Sequence, residues 1–182
     1  MDNPEGAVKY KVVIAYLQAL NDLLDYDGMK SILKEAGLSH LKHYTDLDPD
    51  QNATIETLHD IIAAQKCLLY GCEDLVFELG KKMAFYLFPY GKSFSDIVHK
   101  MHELILSDWK LMILENAPDT VRIKIKNSLF CSENGAKKDL MTGFIIKSLE
   151  KSFPSGKNVL LTAKEGNSRE RIILKFKIED IY

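Results

Sequence analysis

The last third of the chain alternates apolar and charged residues, a pattern that predicts β-strands. The segment 121–130 begins with six residues, 121–126, that alternate apolar with cationic side chains, and this period of two places the apolar residues on one face of a strand. A helical pattern follows over residues 136–153. Two more strand-like runs, residues 159–163 and 172–178, flank a polar turn and predict an antiparallel hairpin. Few compact folds have the resulting order of strand, helix, strand, strand after a helical first part.

Helical patterns dominate the rest of the chain. Apolar residues recur at three- and four-residue steps over residues 8–24, and Asp27 is placed to cap a second, short helix that ends before Gly37. A longer pattern over residues 54–86 meets Gly71, so it predicts either one kinked helix or two abutting helices.

A further helix is predicted after a Phe-Pro-Tyr-Gly stop. Ser93 or Ser95 can cap it, and its apolar stripe extends toward Leu114. Together these patterns predict an α+β fold in which N-terminal helices pack on a C-terminal antiparallel sheet with β-α-β-β order. A length of 182 residues, with 46% hydrophobic residues and no Pro/Gly/Ser-rich linker, predicts a single domain over residues 1–182.

Charge and cysteine content narrow the functional classes. Lys+Arg and Asp+Glu total 24 and 26, and this near balance predicts no nucleic-acid partner, because phosphate binding needs a positive field. The N-terminus lacks the features of a secretion signal, and the cysteines are odd in number with no Cys-x-x-Cys pair, so we expect a reduced, cytoplasmic protein. Charged residues interrupt the longest apolar window, residues 68–88, which predicts no membrane span.

A series of landmarks along the chain resembles a known family. The landmarks are Gly28-Met-Lys-Ser-Ile-Leu-Lys-Glu-Ala-Gly-Leu38, Leu69-Tyr-Gly71, Leu79-Gly80, Cys131, Thr142-Gly-Phe144 and the terminal hairpin. In this order they resemble the four-vinyl reductase domain family, the predicted hydrocarbon-binding proteins. That family shares its fold with the Golgi-transport TRAPP subunits and, more distantly, with haem nitric-oxide-binding domains. The resemblance implies that the last helix approaches the sheet closely at Gly143-Phe144, where glycine has no side chain.

The resemblance also bears on metal binding. Many relatives carry zinc-binding cysteines just before the Gly-Phe pair and in the final hairpin, but residues 137–142 and 159–178 contain none here. Cys131 alone cannot form a four-coordinate zinc site. We therefore expect no metal and no cofactor, and we interpret Cys131 as a small residue that closes a strand, with a redox-sensitive thiol as the alternative. Cys67 and Cys72 are expected to pack in the core.

His99 and His102 form the sharpest chemical pattern in the sequence. Their spacing on a helix allows two imidazoles to share a metal, or one of them to face a haem. The Tyr-x-Ser-x-Arg signature of the haem-binding branch is absent after Pro118, where Val-Arg-Ile-Lys-Ile-Lys stands instead. We favour a solvated or half-buried pair and keep haem or metal binding as a second alternative. No phosphate loop, nucleophile elbow or His-Glu-x-x-His motif occurs, so we expect no enzyme.

An excess of large apolar residues predicts a ligand pocket. The helical segments 75–88 and 94–109 carry more aromatic and methionine side chains than a narrow stripe needs, and such residues can line an adaptable cavity. An ordinary core with a dimer face is the alternative. The favoured function is non-enzymatic binding of a small hydrophobic or aromatic molecule, in a sensor and within a homodimer; a TRAPP-like assembly subunit is the alternative. The predicted ligand-binding residues are Phe77, Met83, Phe85, Phe94, Met101, Trp109 and Phe144.

Overall fold

Helices form most of the first 104 residues, and antiparallel strands form most of the remainder. The structure is a computed structural model that describes residues 6–127, 138–154, 156–168 and 171–181. The helices are α1 (Tyr10–Glu35), α2 (Ile55–Leu68), α3 (Glu73–Leu87), α4 (Phe94–Leu104) and α5 (Leu140–Ser152), with a 3-10 helix over Ser39–Asp46. The strands are β1 (Ala7–Lys9), β2 (Asn52–Thr54), β3 (Ile105–Leu106), β4 (Lys110–Asn116), β5 (Thr120–Lys126), β6 (Lys157–Ser168) and β7 (Arg171–Asp180). Within the described ranges, no helix is long and apolar enough to cross a membrane.

Helix α1 is interrupted at Asp25, whose backbone is left-handed in φ at 61°. The Asp25 carboxylate accepts hydrogen bonds from the backbone N–H groups of Asp27 and Gly28, each at 3.0 Å. The cap of the second helical segment is therefore Asp25, and the prediction of Asp27 is wrong by two residues. The segment ends as predicted at Gly37, which has a φ of 70° and is followed by a bond from the Leu38 N–H to the Leu33 carbonyl, 2.8 Å long.

The long helical pattern divides at Gly71 into two abutting helices, α2 and α3. Gly71 has a φ of 79°, which only glycine adopts without strain. Cys67 and Cys72 lie on either side of this turn and are both exposed, so the prediction that they pack in the core is wrong. Cys131 lies outside the described residues.

Strand β4 occupies residues that the sequence had assigned to the end of a helix. Helix α4 begins as predicted at Ser93, whose hydroxyl accepts the Asp96 N–H, but it ends at Leu104. The Ser107 hydroxyl then accepts the Trp109 N–H at 3.2 Å in a turn that leads into β4. Residues 111–114 are all apolar, so they lack the alternation that marks a half-buried strand, and pairing with β5 decides their conformation.

The main sheet is antiparallel with the strand order β4-β5-β7-β6. The α+β class and the terminal hairpin are as predicted, while β4 changes the C-terminal order from β-α-β-β to β-β-α-β-β. A second, small sheet, β2-β1-β3, joins the beginning of the chain to the start of α2 and the end of α4. One face of the main sheet is buried, and its central core residues are Val121, Ile123, Ile125, Ile172, Leu174 and Phe176. Helix α5 contacts β6 and α3, and α3 contacts α1 in turn.

Candidate functional site at the junction of three helices

Helices α3, α4 and α5 meet around a small apolar gap. It is lined by Met83 from α3, Met101 from α4, and Leu140 and Phe144 from α5. None of these side chains is more than 4% exposed. The gap contains about 180 Å³ of interatomic space, none of it wide enough for a water molecule. The interior at this junction is therefore dry and closed.

The helical stripes of the sequence explain why these side chains converge. On α4 the buried residues Phe94, Ile97, Met101 and Leu104 recur at three- and four-residue steps, which places Met101 on the face that looks inward. Leu140 and Phe144 are four residues apart and share one face of α5. Phe144 also packs edge-to-face against Phe88, with ring centroids 5.9 Å apart.

Two glycines bring α3 and α5 into backbone contact beside the gap. A Cβ atom at Gly80 would overlap with the Leu140 carbonyl oxygen, and one at Gly143 would overlap with the Phe77 carbonyl oxygen. The close approach implied at Gly143 is therefore real, but its partner is helix α3 and not the sheet. No ligand can lie between the helices at this crossing without first separating them.

The N-terminus of α5 is tied to the sheet by a buried ion pair. One oxygen of the Asp139 carboxylate accepts the Thr142 N–H at 2.7 Å and so caps the helix. The other accepts a bond from the Lys164 ammonium on β6, also at 2.7 Å. Both side chains are only 4% exposed, so the pair lies in a medium where charge interactions are strong and where losing one partner is costly.

His102 holds the start of β4 and does not face the gap. Its Nε2 atom accepts the Leu111 N–H at 3.1 Å, and its ring packs edge-to-face on Trp109 at 5.4 Å between centroids. Burial lowers the pKa of His102, and Coulombic interactions with His99 and Lys110 lower it further. The imidazole is therefore neutral near pH 7, with its proton on Nδ1 and its Nε2 lone pair engaged.

The two histidines do not converge on a common point. The His99 side chain is 79% exposed and pairs with Glu103 at 3.3 Å, whereas His102 is half-buried against β4. This confirms the prediction of a solvated or half-buried pair. Across the described residues, no three His, Cys, Asp or Glu side chains are grouped as a metal site requires.

The structure brings together three of the predicted ligand-binding residues, Met83, Met101 and Phe144. Leu140, which is absent from the predicted ligand-binding residues, joins them. Phe94 is buried in the first turn of α4, and Phe77 is half-buried on α3.

The other two predicted residues lie elsewhere. Phe85 is 45% exposed, and the Lys151 ammonium lies 4.7 Å from its ring centroid, so it faces outward from α3. Trp109 is buried but follows the end of α4, where it packs on His102 and lines a separate surface groove. Phe85 lies on the outward face of α3, and Trp109 lies beyond α4 because that helix ends at Leu104.

A polar cluster on the surface joins α1 to α3. The Tyr86 hydroxyl donates to the Asp22 carboxylate, which also pairs with Lys82 at 3.1 Å. The hydrogen bond to Asp22 raises the pKa of Tyr86 to about 12, and the same bond lowers the pKa of Asp22. This cluster connects α1 to α3, and its members are already paired with one another.

Comparison with known proteins identifies the fold. No protein-family model and no curated protein sequence matches the chain. Among solved structures, an oxygen-binding H-NOX domain related to soluble guanylate cyclases aligns over 96% of this chain and 97% of its own, with 17% identity and a TM-score of 0.58. The chain has an H-NOX fold.

Two further H-NOX structures agree. A point mutant of T. tengcongensis H-NOX aligns over 96% of this chain and 100% of its own, with 16% identity and a TM-score of 0.60. A mutant of the Fe(II) unliganded H-NOX protein from K. algicida aligns over 94% and 97%, with 10% identity and a TM-score of 0.62. Identities this low establish the fold alone, and they bear out the haem nitric-oxide-binding part of the predicted resemblance. The four-vinyl reductase and TRAPP parts stay predictions.

Haem is the cofactor that this fold implies, because one of the similar structures comes from work on the function of heme distortion in the H-NOX family. The described residues at the helix junction and at His102 do not fit it. The Nε2 lone pair of His102, which an iron ion would need, is engaged by the Leu111 N–H. The gap at the helix junction holds no space wide enough for water, and α3 touches α5 through Gly80 and Gly143.

Proposed function

We propose that this chain is a non-enzymatic, sensor-type domain that binds a small hydrophobic or aromatic molecule at the junction of α3, α4 and α5. The observation that carries the proposal is the gap lined by Met83, Met101, Leu140 and Phe144, because three separate helices contribute its walls and all of its lining is apolar. A molecule held there would contact α3, α4 and α5 at once. The H-NOX fold supports this proposal, since related structures include an oxygen-binding domain.

The two methionines explain how a closed gap can accept a ligand. Met83 and Met101 have unbranched, flexible side chains, and a change of rotamer in each would enlarge the space without moving a helix axis. A benzene-sized ligand that buries roughly 150 Å² of apolar surface would gain on the order of 4 kcal/mol. This corresponds to a dissociation constant of about 1 mM for a fragment, and larger ligands would bind more tightly.

Benzene binding, followed by NMR on protein with 13C-labelled methionine methyl groups, tests the proposal. We expect the methyl resonances of Met83 and Met101 to shift in a saturable way, while that of Met29, fully buried in α1, stays in place and serves as the internal control. Phe144→Leu should increase benzene affinity by enlarging the gap, and a thermal melt would show that this variant still folds. The proposal is wrong if Met83 and Met101 shift no more than Met29 in both proteins.

The predicted homodimer and the assembly role rest on separate evidence. Exposed aromatic side chains at Tyr70, Phe85 and Tyr90 are available for protein contacts. Light scattering after size exclusion would show a mass of about twice the 20.7 kDa chain if the homodimer forms. A monomer across the accessible concentration range would contradict the dimer and leave ligand binding unaffected.

A further inference from the structure

The outer face of the main sheet concentrates positive charge. Residues on this face alternate with the buried core residues of the same strands. Two like-charged pairs lie directly opposite each other across neighbouring strands, Lys110 with Lys126 and Arg122 with Lys175, although Arg122 also lies opposite Glu115 on its other side. Like charges in this relation destabilise a sheet. The cationic residues of the face are Lys110, Arg122, Lys124, Lys126, Arg171, Lys175 and Lys177.

Several lysines on the helices form ion pairs with nearby carboxylates. Four helical lysines pair with a carboxylate three residues away, in Lys30–Asp27, Lys81–Glu78, Lys100–Glu103 and Lys147–Glu150. On the sheet, Lys177 pairs with Glu179 at 2.8 Å. No ion pair within the described ranges involves Arg122, Lys124 or Lys175.

The positive charges of this face repel one another. Arg171 first, then burial and Lys126, lower the pKa of Lys124, because each added positive charge disfavours the charged form. A net charge of -2 for the whole chain therefore conceals a cationic surface, and the remaining surface is correspondingly acidic. The like-charged neighbours cost stability, and Lys124 and Lys175 form no ion pair among the described residues, which indicates a partner of opposite charge.

We propose that the outer face of the main sheet docks an acidic helix of a partner protein. Residues on one face of a strand recur every 6.6 Å or so, and neighbouring strands are about 4.8 Å apart. Acidic residues three or four positions apart on a helix have Cβ atoms about 5–6 Å apart, so one helical face can meet several of these cations at once. Met112 on β4 and Ile173 on β7 both lie opposite Lys124 of β5, and they supply apolar contact between the charges.

The composition of the face favours an acidic protein over other polyanions. The described residues of this face include no aromatic side chain, since Phe176 points into the core, so the face offers no stacking platform for nucleic-acid bases. Met112 and Ile173 are half-buried between the cations and do not project as membrane-inserting residues would.

Fluorescence anisotropy with two labelled peptides tests the docking surface. Both peptides have the same composition and about five helical turns, but only one carries its glutamates on a single face. We expect the one-faced peptide to bind about tenfold more tightly than the scrambled one, with an affinity that falls as salt rises. Lys124→Gln with Lys175→Gln should cost about tenfold in affinity. Lys30→Gln with Lys100→Gln, on helices, is the matched control and should change nothing.

Other outcomes would overturn the docking proposal. Equal binding by the sheet variant and the wild type, or no preference for the one-faced peptide, would contradict it. So would tighter binding to single-stranded DNA or to phosphatidylserine vesicles than to the one-faced peptide. The sheet substitutions relieve repulsion, and a thermal melt should show no loss of stability. Benzene binding at the helix junction should be unchanged in the same variant, so this proposal and the proposed function can fail separately.

Discussion

At His102, one side chain determines how α4 continues into β4. Its Nε2 atom is the acceptor for the N–H of Leu111, which lies at the beginning of an edge strand of the main sheet. A buried N–H that loses its acceptor costs about 1–3 kcal/mol. A histidine at this place therefore has a structural role that is complete without a metal.

Replacing His102 should weaken the fold, and more so at neutral than at acidic pH. We expect His102→Ala to lower the free energy of unfolding by about 1–3 kcal/mol, as measured by urea denaturation. Because the pKa of His102 is lowered in the folded state, the neutral ring stabilises the protein fully above the unfolded pKa near 6.5. This stabilisation is lost as the pH falls from 6.5 through the lower, folded pKa.

The advantage of the wild type over His102→Ala should therefore shrink on going from about pH 7.5 to pH 5.5. His99→Ala is the matched control, since its side chain is 79% exposed on the same helix. A stability difference that stays constant over this pH range would contradict the hydrogen bond as its source.

At the scale of elements, the α3–α5 crossing depends on two residues without side chains. Gly80 lies against the carbonyl of Leu140, and Gly143 lies against the carbonyl of Phe77. Each glycine gives up about 1 kcal/mol of helix propensity relative to alanine. The close packing of the two helices offsets that loss, and it also sets how near Met83 comes to Phe144.

Alanine at either glycine should force the helices apart. We expect Gly80→Ala and Gly143→Ala each to lower the free energy of unfolding by about 1–3 kcal/mol, although alanine is the better helix former. Once one substitution has separated the helices, the second should cost less, so the double variant should lose less than the sum of the two. Urea denaturation of the four proteins in this cycle measures the coupling. Strict additivity would show that the glycines do not share one contact.

At the scale of the whole molecule, the H-NOX fold is present in a chain whose described residues close the junction of α3, α4 and α5. We predict that haem added to the purified protein, or supplied during expression, gives the visible spectrum of free haem and no histidine-ligated species. His102→Ala should leave that spectrum unchanged, since the Nε2 lone pair of His102 is already engaged. A Soret band that shifts on mixing and is lost in the variant would contradict the prediction.

Local signals in the sequence were sufficient for much of this fold. Gly37 marked a real left-handed position, Gly71 marked the boundary between two abutting helices, Ser93 capped the helix expected of it, and the alternation of residues 172–178 placed the terminal strand correctly. In each case the deciding interaction lies within a few residues of the signal. The converging stripes of α4 and α5 likewise anticipated Met101 and Phe144 at the helix junction.

The errors arose where distant partners decide. Residues 111–114 fit a helical or a buried pattern until β5 pairs with them, and nothing local to Gly143 says whether a strand or a helix approaches it. The outward position of Phe85 depends on how α3 is rotated between α1 and α5. The charge of the sheet face was equally hidden, because a total over the chain cannot show which cations the register places opposite each other.

The buried ion pair between Asp139 and Lys164 couples the N-terminus of α5 to strand β6. Leu140 follows Asp139 directly in the chain and forms a wall of the gap, while Lys164 stands on a strand whose neighbour, β7, carries Lys175 and Lys177. A molecule that displaces Leu140 must either break a desolvated ion pair or carry β6 along with the helix. A displacement of Leu140 by a ligand in the gap would thus be transmitted to the outer side of the sheet through the ion pair between Asp139 and Lys164.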